Sequence, residues 1–438
     1  MNANMTIGKI IAFILLSTAL LPEPACTKKD IPWQPTDSLG KLNKWVYDSM
    51  QLYYYWSAEM PAHPDYSLPT QEFFKRLLSP KDRFSWISNR STVGAPKTSA
   101  EIYGFNYTLA THPFDALSLV GVITCVMPGS NADNRKLKRG MLFSAVNDQA
   151  ITSANKQAIK EALQAPAAML QLVTFNSDHS ALNDSARIGI QSAVVPQKSV
   201  HATKVFEKNG IKTGFLAYYL CAEKDDALVL LSMQKLKTEG VSECIIDLRY
   251  NPGGSVASAT KLAAMLTTSF NPASTFITYS GNRHGGTQRQ TFQQAIAFST
   301  SVSGKNMSDL QARNLGLSRV FILTSPVTAS AAELLTHNLA PYTTVIRIGE
   351  TTVGKDEASF TIDDQRSPRQ VAWLIEPIVY KIADGLGNGN YSTGLAPDHV
   401  VVETSKLPLT PIGEPGDLPV DKALDLIYGT RAVNVTNL

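Results

Sequence analysis

Cysteine is scarce: four in 438 residues cannot build a disulfide framework. Charge of one sign is missing too. Lys+Arg of 40 against Asp+Glu of 37 leaves +3, with no basic run of five or more. A nucleic-acid partner needs a basic stripe, so none is expected. Charged residues are 18% against 44% hydrophobic, which excludes disorder and leaves material for a large core. No His-Glu-x-x-His occurs, and His112, His179, His201, His284 and His399 fall in no ligand pattern. Neither a metal nor any other cofactor is therefore expected.

What is present begins with an address. Lys9 precedes an apolar run from Ile10 to Leu21, too short to span a bilayer but suited to a signal-peptide core. It ends in Leu20-Leu-Pro-Glu-Pro-Ala-Cys26, followed by polar residues, and so resembles a bacterial lipoprotein signal. In such signals the cysteine becomes the acylated N-terminus, here Cys26. Glu23 departs from the pattern, which prefers Leu. An exported protein of the cell envelope, held to a membrane by lipid on Cys26, is the expectation. Cys125, Cys221 and Cys244 sit in apolar stretches and read as buried thiols.

The length suggests two or three domains. After residues 1–26, residues 27–98 read as a helical unit. Leu42, Trp45, Val46, Met50 and Tyr53 form one apolar stripe, and Tyr53-Tyr-Tyr-Trp56 reads as core. Thr70 is the expected N-cap of a second helix carrying Phe73, Phe74, Leu77 and Leu78, stopped by Pro80. Residues 99–196 change to short strands and turns. A strand over Gly121–Val126, a Pro-Gly-Ser turn, Leu137-Lys-Arg-Gly140, a strand ending Val-Asn-Asp148 and a helix near Gln157–Leu163 together resemble a PDZ domain. Tyr103-Gly-Phe105 would lie near its carboxylate-binding loop, and an extended peptide would add to an exposed edge.

Residues 197–438 alternate strands with helices. Strands are expected at Gly214–Tyr219, Cys244–Leu248, Arg319–Leu323 and Thr343–Ile348. Helices are expected at Asp226–Glu239 (with Leu228, Leu231, Met233 and Leu236 apolar), Val256–Leu266 and Ala329–Leu339. Continuous apolar strands between helices imply a largely parallel sheet. Three loops then sit at strand ends, where open α/β sheets place their sites. They are Asn251-Pro-Gly-Gly254, Thr328-Ala-Ser-Ala-Ala-Glu333 and Gly349-Glu-Thr-Thr-Val-Gly-Lys355. Ser330 at a helix start has backbone donors beside it, paired glycines can present a further N–H, and Lys355 is a candidate base. Those are the parts of an acyl-transfer site.

These three motifs, in this order, resemble the carboxyl-terminal processing (tail-specific) serine peptidases. So do the domain order and Gly394-Leu-Ala-Pro-Asp398. The resemblance implies an α/β multidomain protein with a helical unit, a PDZ-like domain and a crotonase/Clp-protease-like catalytic domain. It implies Ser330 as nucleophile, Lys355 as base, and Ala331 with Gly254 as oxyanion donors, Gly253 being the second choice. The resemblance also implies that substrates are peptides or loosely folded proteins, engaged through their C-termini. A lysine base must be neutral to accept a proton, so the adjacent Asp356 and Glu357 must face away from it. The family places glutamine four residues after the lysine; Ser359 stands there, with a hydroxyl as the remaining support. An impaired relative that only binds peptides in the cell envelope is the alternative.

Other readings of the same residues fail on geometry. His337 lies two helical turns beyond Ser330, about 10 Å along the axis, too far for a Ser–His pair. Gly349–Lys355 misses a phosphate-binding loop because Asp356 stands where magnesium needs Ser or Thr. Arg249 reads either as support for the site or as a structural ion pair.

Overall fold

The protein is described by a computed structural model covering residues 38–90, 98–196, 198–429 and 434–438. The signal-like segment, Glu23 and Cys26 lie outside the described residues. A helix runs from Ser38–Tyr53 and a second from Thr70–Leu77. The first buries Val46 and Met50 together with Asn43, while Leu42, Trp45 and Tyr53 are only partly buried. Asn43 can sit inside because its amide donates to the Tyr66 and Leu68 carbonyls at 2.9 and 2.7 Å. The second helix starts one residue earlier than expected: Pro69 occupies the N-cap and Thr70 is the first helical residue. Neither helix can bury its aromatic face alone. Both pack Tyr54, Trp56, Phe73 and Phe74 onto Ile375 and Ile378, far along the chain. Strand β1 (Trp86–Asn89) follows.

An antiparallel sheet comes next: β2 (Phe105–His112), β3 (Asp115–Val126), β4 (Leu142–Val146), β5 (Gln149–Ala150), β6 (Ala167–Phe175) and β7 (Leu182–Gln191). Its order is β2-β3-β4-β6-β7, with β5 paired to β4. A helix at Lys156–Ala162 closes one face through Ile159, against Phe105, Ile123, Phe143 and Leu170.

The remaining strands are β8 (Val200–Lys208), β9 (Ile211–Tyr218), β10 (Glu243–Asp247), β11 (Thr275–Gly281), β12 (Thr287–Thr291), β13 (Arg319–Thr324), β14 (Thr344–Gly349), β15 (Glu357–Ser359), β16 (Ile362–Asp363), β17 (Trp373–Glu376), β18 (Ile378–Ala383), β19 (His399–Val400) and β20 (Asn434–Asn437). Seven of them form one sheet in the order β19-β14-β13-β10-β9-β8-β20. It is parallel from β9 to β19, and β8 and β20 add antiparallel strands at one edge. Alternate residues of its strands face opposite cores. Leu216, Ile246 and Ile322 meet the helices Val256–Leu266 and Ala331–Asn338, whereas Phe215, Ile245 and Phe321 meet the helix Leu418–Tyr428. Burial on both faces is why these strands read as continuous apolar runs.

Two smaller antiparallel sheets, β12-β11-β18-β15 and β1-β17-β16, complete this mixed α/β architecture. The helix Asp226–Glu239 turns Val229, Leu230, Met233 and Leu236 inward, leaving Leu228 and Leu231 44% and 52% exposed. The expected stripe was therefore rotated: the sheet receives Leu236 over Gly214, where there is no side chain to obstruct it. Among the described residues no helix is long and apolar enough to cross a membrane.

Candidate active site

Strands β10, β13 and β14 are parallel neighbours, so the loops that leave their carboxyl ends emerge side by side. Backbone and side-chain bonds then sew them together. Thr328 Oγ1 donates to the Leu248 carbonyl at 2.8 Å, Ala329 N to the Asn251 carbonyl at 3.1 Å, and Val353 N to the Thr328 carbonyl at 3.0 Å. Asn251 is fully buried, and its amide donates to the Tyr218 carbonyl at 2.9 Å.

Ser330 has φ 55° and ψ −118°, a region that a residue with a side chain occupies at a cost. The helix consequently starts at Ala331, two residues later than the periodicity suggests. Ser330 is thrust out at the junction of strand-end loop and helix. Gly253 lies directly against it: a Cβ there would stand 2.7 Å from Ser330 Cβ and 3.0 Å from Ala331 N. The Gly253 N–H is already committed to Asn251 Oδ1 at 2.9 Å. Among the described residues the N–H groups of Gly254 and Ala331 meet no acceptor. Gly254 is held in place by its neighbours, through Cys221 N to the Gly253 carbonyl (2.9 Å) and Ser255 N to the Cys221 carbonyl (2.7 Å).

Glu333 is the residue that the sequence reading passed over. Its carboxylate is fully buried. Oε2 accepts from Ser330 N at 2.9 Å and from Lys355 N at 2.8 Å. Oε1 accepts from Gly354 N at 2.6 Å and from the Thr352 hydroxyl. A glutamate three residues after a serine at a helix start is a capping-box signal, which foretells the first of these bonds. The other three come from a loop about twenty residues on and have no local signature.

Lys355 is partly buried, and its ammonium lies 5.3 Å from the centre of the Phe84 ring. The two acids beside it do face away. Asp356 and Glu357 both accept from Lys381, Asp356 at 2.8 Å. Burial raises the Glu357 carboxyl above its usual range and works against the Lys381 ammonium, which the two acids nonetheless hold high. The Ser359 hydroxyl donates to Glu376 Oε1 at 2.9 Å.

Arg249 is 1% exposed and sits in a closed ion network. It reaches Asp247, Asp417 and Glu403 at 2.7 to 2.8 Å, so its charge is spent on structure. Arg139, from the Leu137–Gly140 turn, joins the same network through Glu403 at 2.9 Å and through the Tyr250 hydroxyl. It also donates to the Thr124 and Thr410 carbonyls at 2.6 and 2.7 Å. Tyr250 immediately precedes Asn251, so the β2–β7 unit is docked one residue from the glycine loop. Between that unit and the loops lies a cleft of about 260 Å³ lined by Asn106, Met127, Lys198, Tyr219, Pro252 and Val327.

The side chains of the other candidates make no bond to Ser330 or Lys355 among the described residues. His337 Nε2 meets the Asn388 carbonyl at 2.9 Å and its ring lies on Tyr391. Cys125, Cys221 and Cys244 are buried and free, and burial pushes each thiol up to about 12. Gly104 N donates to the Ser99 carbonyl at 3.1 Å, and Tyr103 and Phe105 are fully buried.

Comparison with known proteins points one way. Residues 212–399 match the profile of peptidase family S41, and residues 41–86 match the peptidase S41 N-terminal domain. A carboxyl-terminal-processing protease from Picosynechococcus sp. is 25% identical over 232 residues, 52% of this chain and 49% of that one. One from Synechocystis sp. is 28% identical over 204 residues, 46% of this chain and 40% of that one. The chain thus spans about half the length, or less, of the curated relatives it matches. A solved structure assigned to the S41 proteases, from Bacteroides fragilis NCTC 9343, superposes with a TM-score of 0.70 at 26% identity. That match covers 88% of this chain and 97% of the other.

Proposed function

The chain belongs to peptidase family S41, and on that footing we propose that it is a serine endopeptidase with a Ser330–Lys355 dyad. The observation that carries this reading is the strained Ser330, flanked by the two N–H groups of Gly254 and Ala331 that no internal acceptor uses. Lys355 is tied to the same carboxylate as Ser330. In the proposed reaction Ser330 Oγ attacks the substrate carbonyl while Lys355 Nζ takes its proton. The carbonyl oxygen becomes an oxyanion and accepts from Gly254 and Ala331. The proton passes from Lys355 to the departing amine, leaving an acyl group on Ser330. Water, deprotonated by Lys355, then attacks the acyl carbon and frees Ser330.

The substrate class is peptides and loosely folded proteins. The cleft lined by Pro252 and Val327 adjoins the glycine loop and would receive an extended segment. The assignment of 99–196 as a PDZ-like domain that engages substrate C-termini, ahead of a catalytic domain at 197–438, is part of this proposal. So are export and lipid attachment at Cys26, which rest on the apolar run and the cysteine after it. Metabolic labelling with a fatty acid, lost in Cys26→Ser, tests the anchor.

The test of the activity is proteolysis of an unfolded protein by wild type, Ser330→Ala and Lys355→Ala. Loss of cleavage in both variants, with melting temperatures retained, is expected; cleavage that survives Ser330→Ala overturns the dyad. The Ser359 hydroxyl, engaged by Glu376, favours one second reading: a catalytically impaired, peptide-binding relative. Peptide binding by wild type without any turnover would select it.

A further inference from the structure

A lysine side chain has four rotatable bonds and gives up much rotamer freedom when it is fixed, so a lysine base needs something to hold its amine in place. Lys355 has no hydrogen-bond or ion-pair partner for Nζ among the described residues, and Ser359 is engaged by Glu376. What Nζ does meet is the face of Phe84, 5.3 Å from the ring centre. Lys381, by contrast, has Asp356 and Glu357.

Phe84 is fixed with respect to the loop that carries Lys355. Its own N–H and that of Ser85 donate to Asp82 Oδ1, each at 2.9 Å, closing a tight turn. The Arg83 guanidinium donates to the Val353 carbonyl at 2.9 Å and to the Ser392 carbonyl at 2.7 Å. Ser85 Oγ accepts from Ile378 N at 2.8 Å. Val353 is two residues before Lys355, so one side of the turn grips the base's own loop while the ring faces its amine.

We propose that Phe84 is a positioning residue for Lys355, so that the N-terminal helical unit supplies the surface on which the general base is laid. This rests on the Ser330–Lys355 reading. The Phe84 ring, which also carries the Arg83 guanidinium 4.8 Å from its centre, confines the lysine stem and so holds Nζ in one position. Confinement of the base bears on the proton transfer, which makes it a contribution to the rate rather than to substrate binding.

The experiment compares Phe84→Leu, which keeps bulk without a ring face, with Phe84→Tyr and Phe84→Trp, which keep the face. A fluorogenic peptide or unfolded protein serves as substrate. Phe84→Leu is expected to lower kcat about tenfold with KM and melting temperature unchanged, while Tyr or Trp restores kcat. Wild-type kcat in Phe84→Leu, or a loss that Tyr and Trp share, overturns the proposal.

A second readout needs no turnover. The lysines of the full chain are reductively ¹³C-methylated and the Lys355 signal is assigned by its absence in Lys355→Arg. It is expected upfield in wild type and at its ordinary position in Phe84→Leu. An ordinary position in wild type overturns the ring contact. Ser330→Ala and Lys355→Ala run alongside separate the two ideas: cleavage surviving in them sinks the dyad, whereas a dead dyad with an active Phe84→Leu sinks only the role of Phe84.

Discussion

The backbone N–H groups of Ser330 and Lys355 donate to the same oxygen, Glu333 Oε2, at 2.9 and 2.8 Å. The main chains of the two residues are thereby held within about 6 Å of each other at their nitrogens, whatever their side chains do. One buried carboxylate sets the spacing of the proposed nucleophile and base.

Glu333→Gln should therefore cost activity out of proportion to its size. The carboxylate accepts four donors, two on each oxygen. An amide must turn its NH₂ toward one pair and leave those donors unmet, at roughly 1–3 kcal/mol. A fall in kcat of at least tenfold and a melting temperature several degrees lower are expected. Steady-state kinetics and a thermal melt check both; wild-type turnover in Glu333→Gln would remove the clamp from the mechanism.

Ser330 should be replaceable by glycine at no cost to stability. Its φ of 55° with ψ −118° strains a side-chain-bearing residue by about 1–3 kcal/mol, against about 0.5–1 kcal/mol of extra backbone entropy for glycine. Both Ser330→Gly and Ser330→Ala are expected to be inactive, with the glycine variant melting higher. Calorimetry of the pair decides, and a higher melting point for the alanine variant would show that the turn is unstrained.

Lys381→Met should impair both stability and turnover. Asp356 and Glu357 are 2% and 5% exposed at their side chains, and Lys381 is the cation that faces both. Removing it leaves two nearly buried carboxylates beside Lys355. Because Lys381 is itself a quarter exposed, the loss is put at about 2 kcal/mol, below that for a fully buried pair. Lys381→Arg is expected to keep most of both properties. Equal melting temperatures for Lys381→Met and wild type would count against the pairing.

Acid should loosen the docking of the β2–β7 unit through Asp417. Burial pushes its carboxyl up, but the Arg249 charge at 2.7 Å outweighs this and holds it below the usual range. A carboxyl lowered by folding stabilises fully above its unfolded value, near 3.9, and loses that contribution as pH falls further. The wild-type melting temperature is expected to decline below about pH 4. Asp417→Asn should melt lower at pH 7 and show a shallower acid limb. Calorimetric scans from pH 3 to 7 measure this, and parallel limbs would exclude Asp417 as the titrating group.

Much of this molecule is legible in the order of its residues. The helices Asp226–Glu239 and Val256–Leu266 have the bounds that periodicity and breakers indicate. The sheet's parallel core follows from apolar strands that alternate with helices. Finer placement was less legible. Thr70 lost the N-cap to Pro69, and Leu228 and Leu231 lost the core to Val229 and Leu230. In the second case two nearly equivalent faces were available, and packing against the sheet chose between them.

The sequence by itself determined the residue types and which strand ends carry them, because hydrophobic period and turn chemistry act within a few residues. Tertiary structure alone decided the partners. It assigned the Gly253 N–H to Asn251 and so left that of Gly254 unspent. It turned Asp356 onto Lys381, 25 residues later. It also brought Arg83 to Val353 across 270 residues, laying Phe84 on Lys355. A charge or a donor has many chemically acceptable partners, and only the register of strands far apart in the chain sets which of them lies within 3 Å.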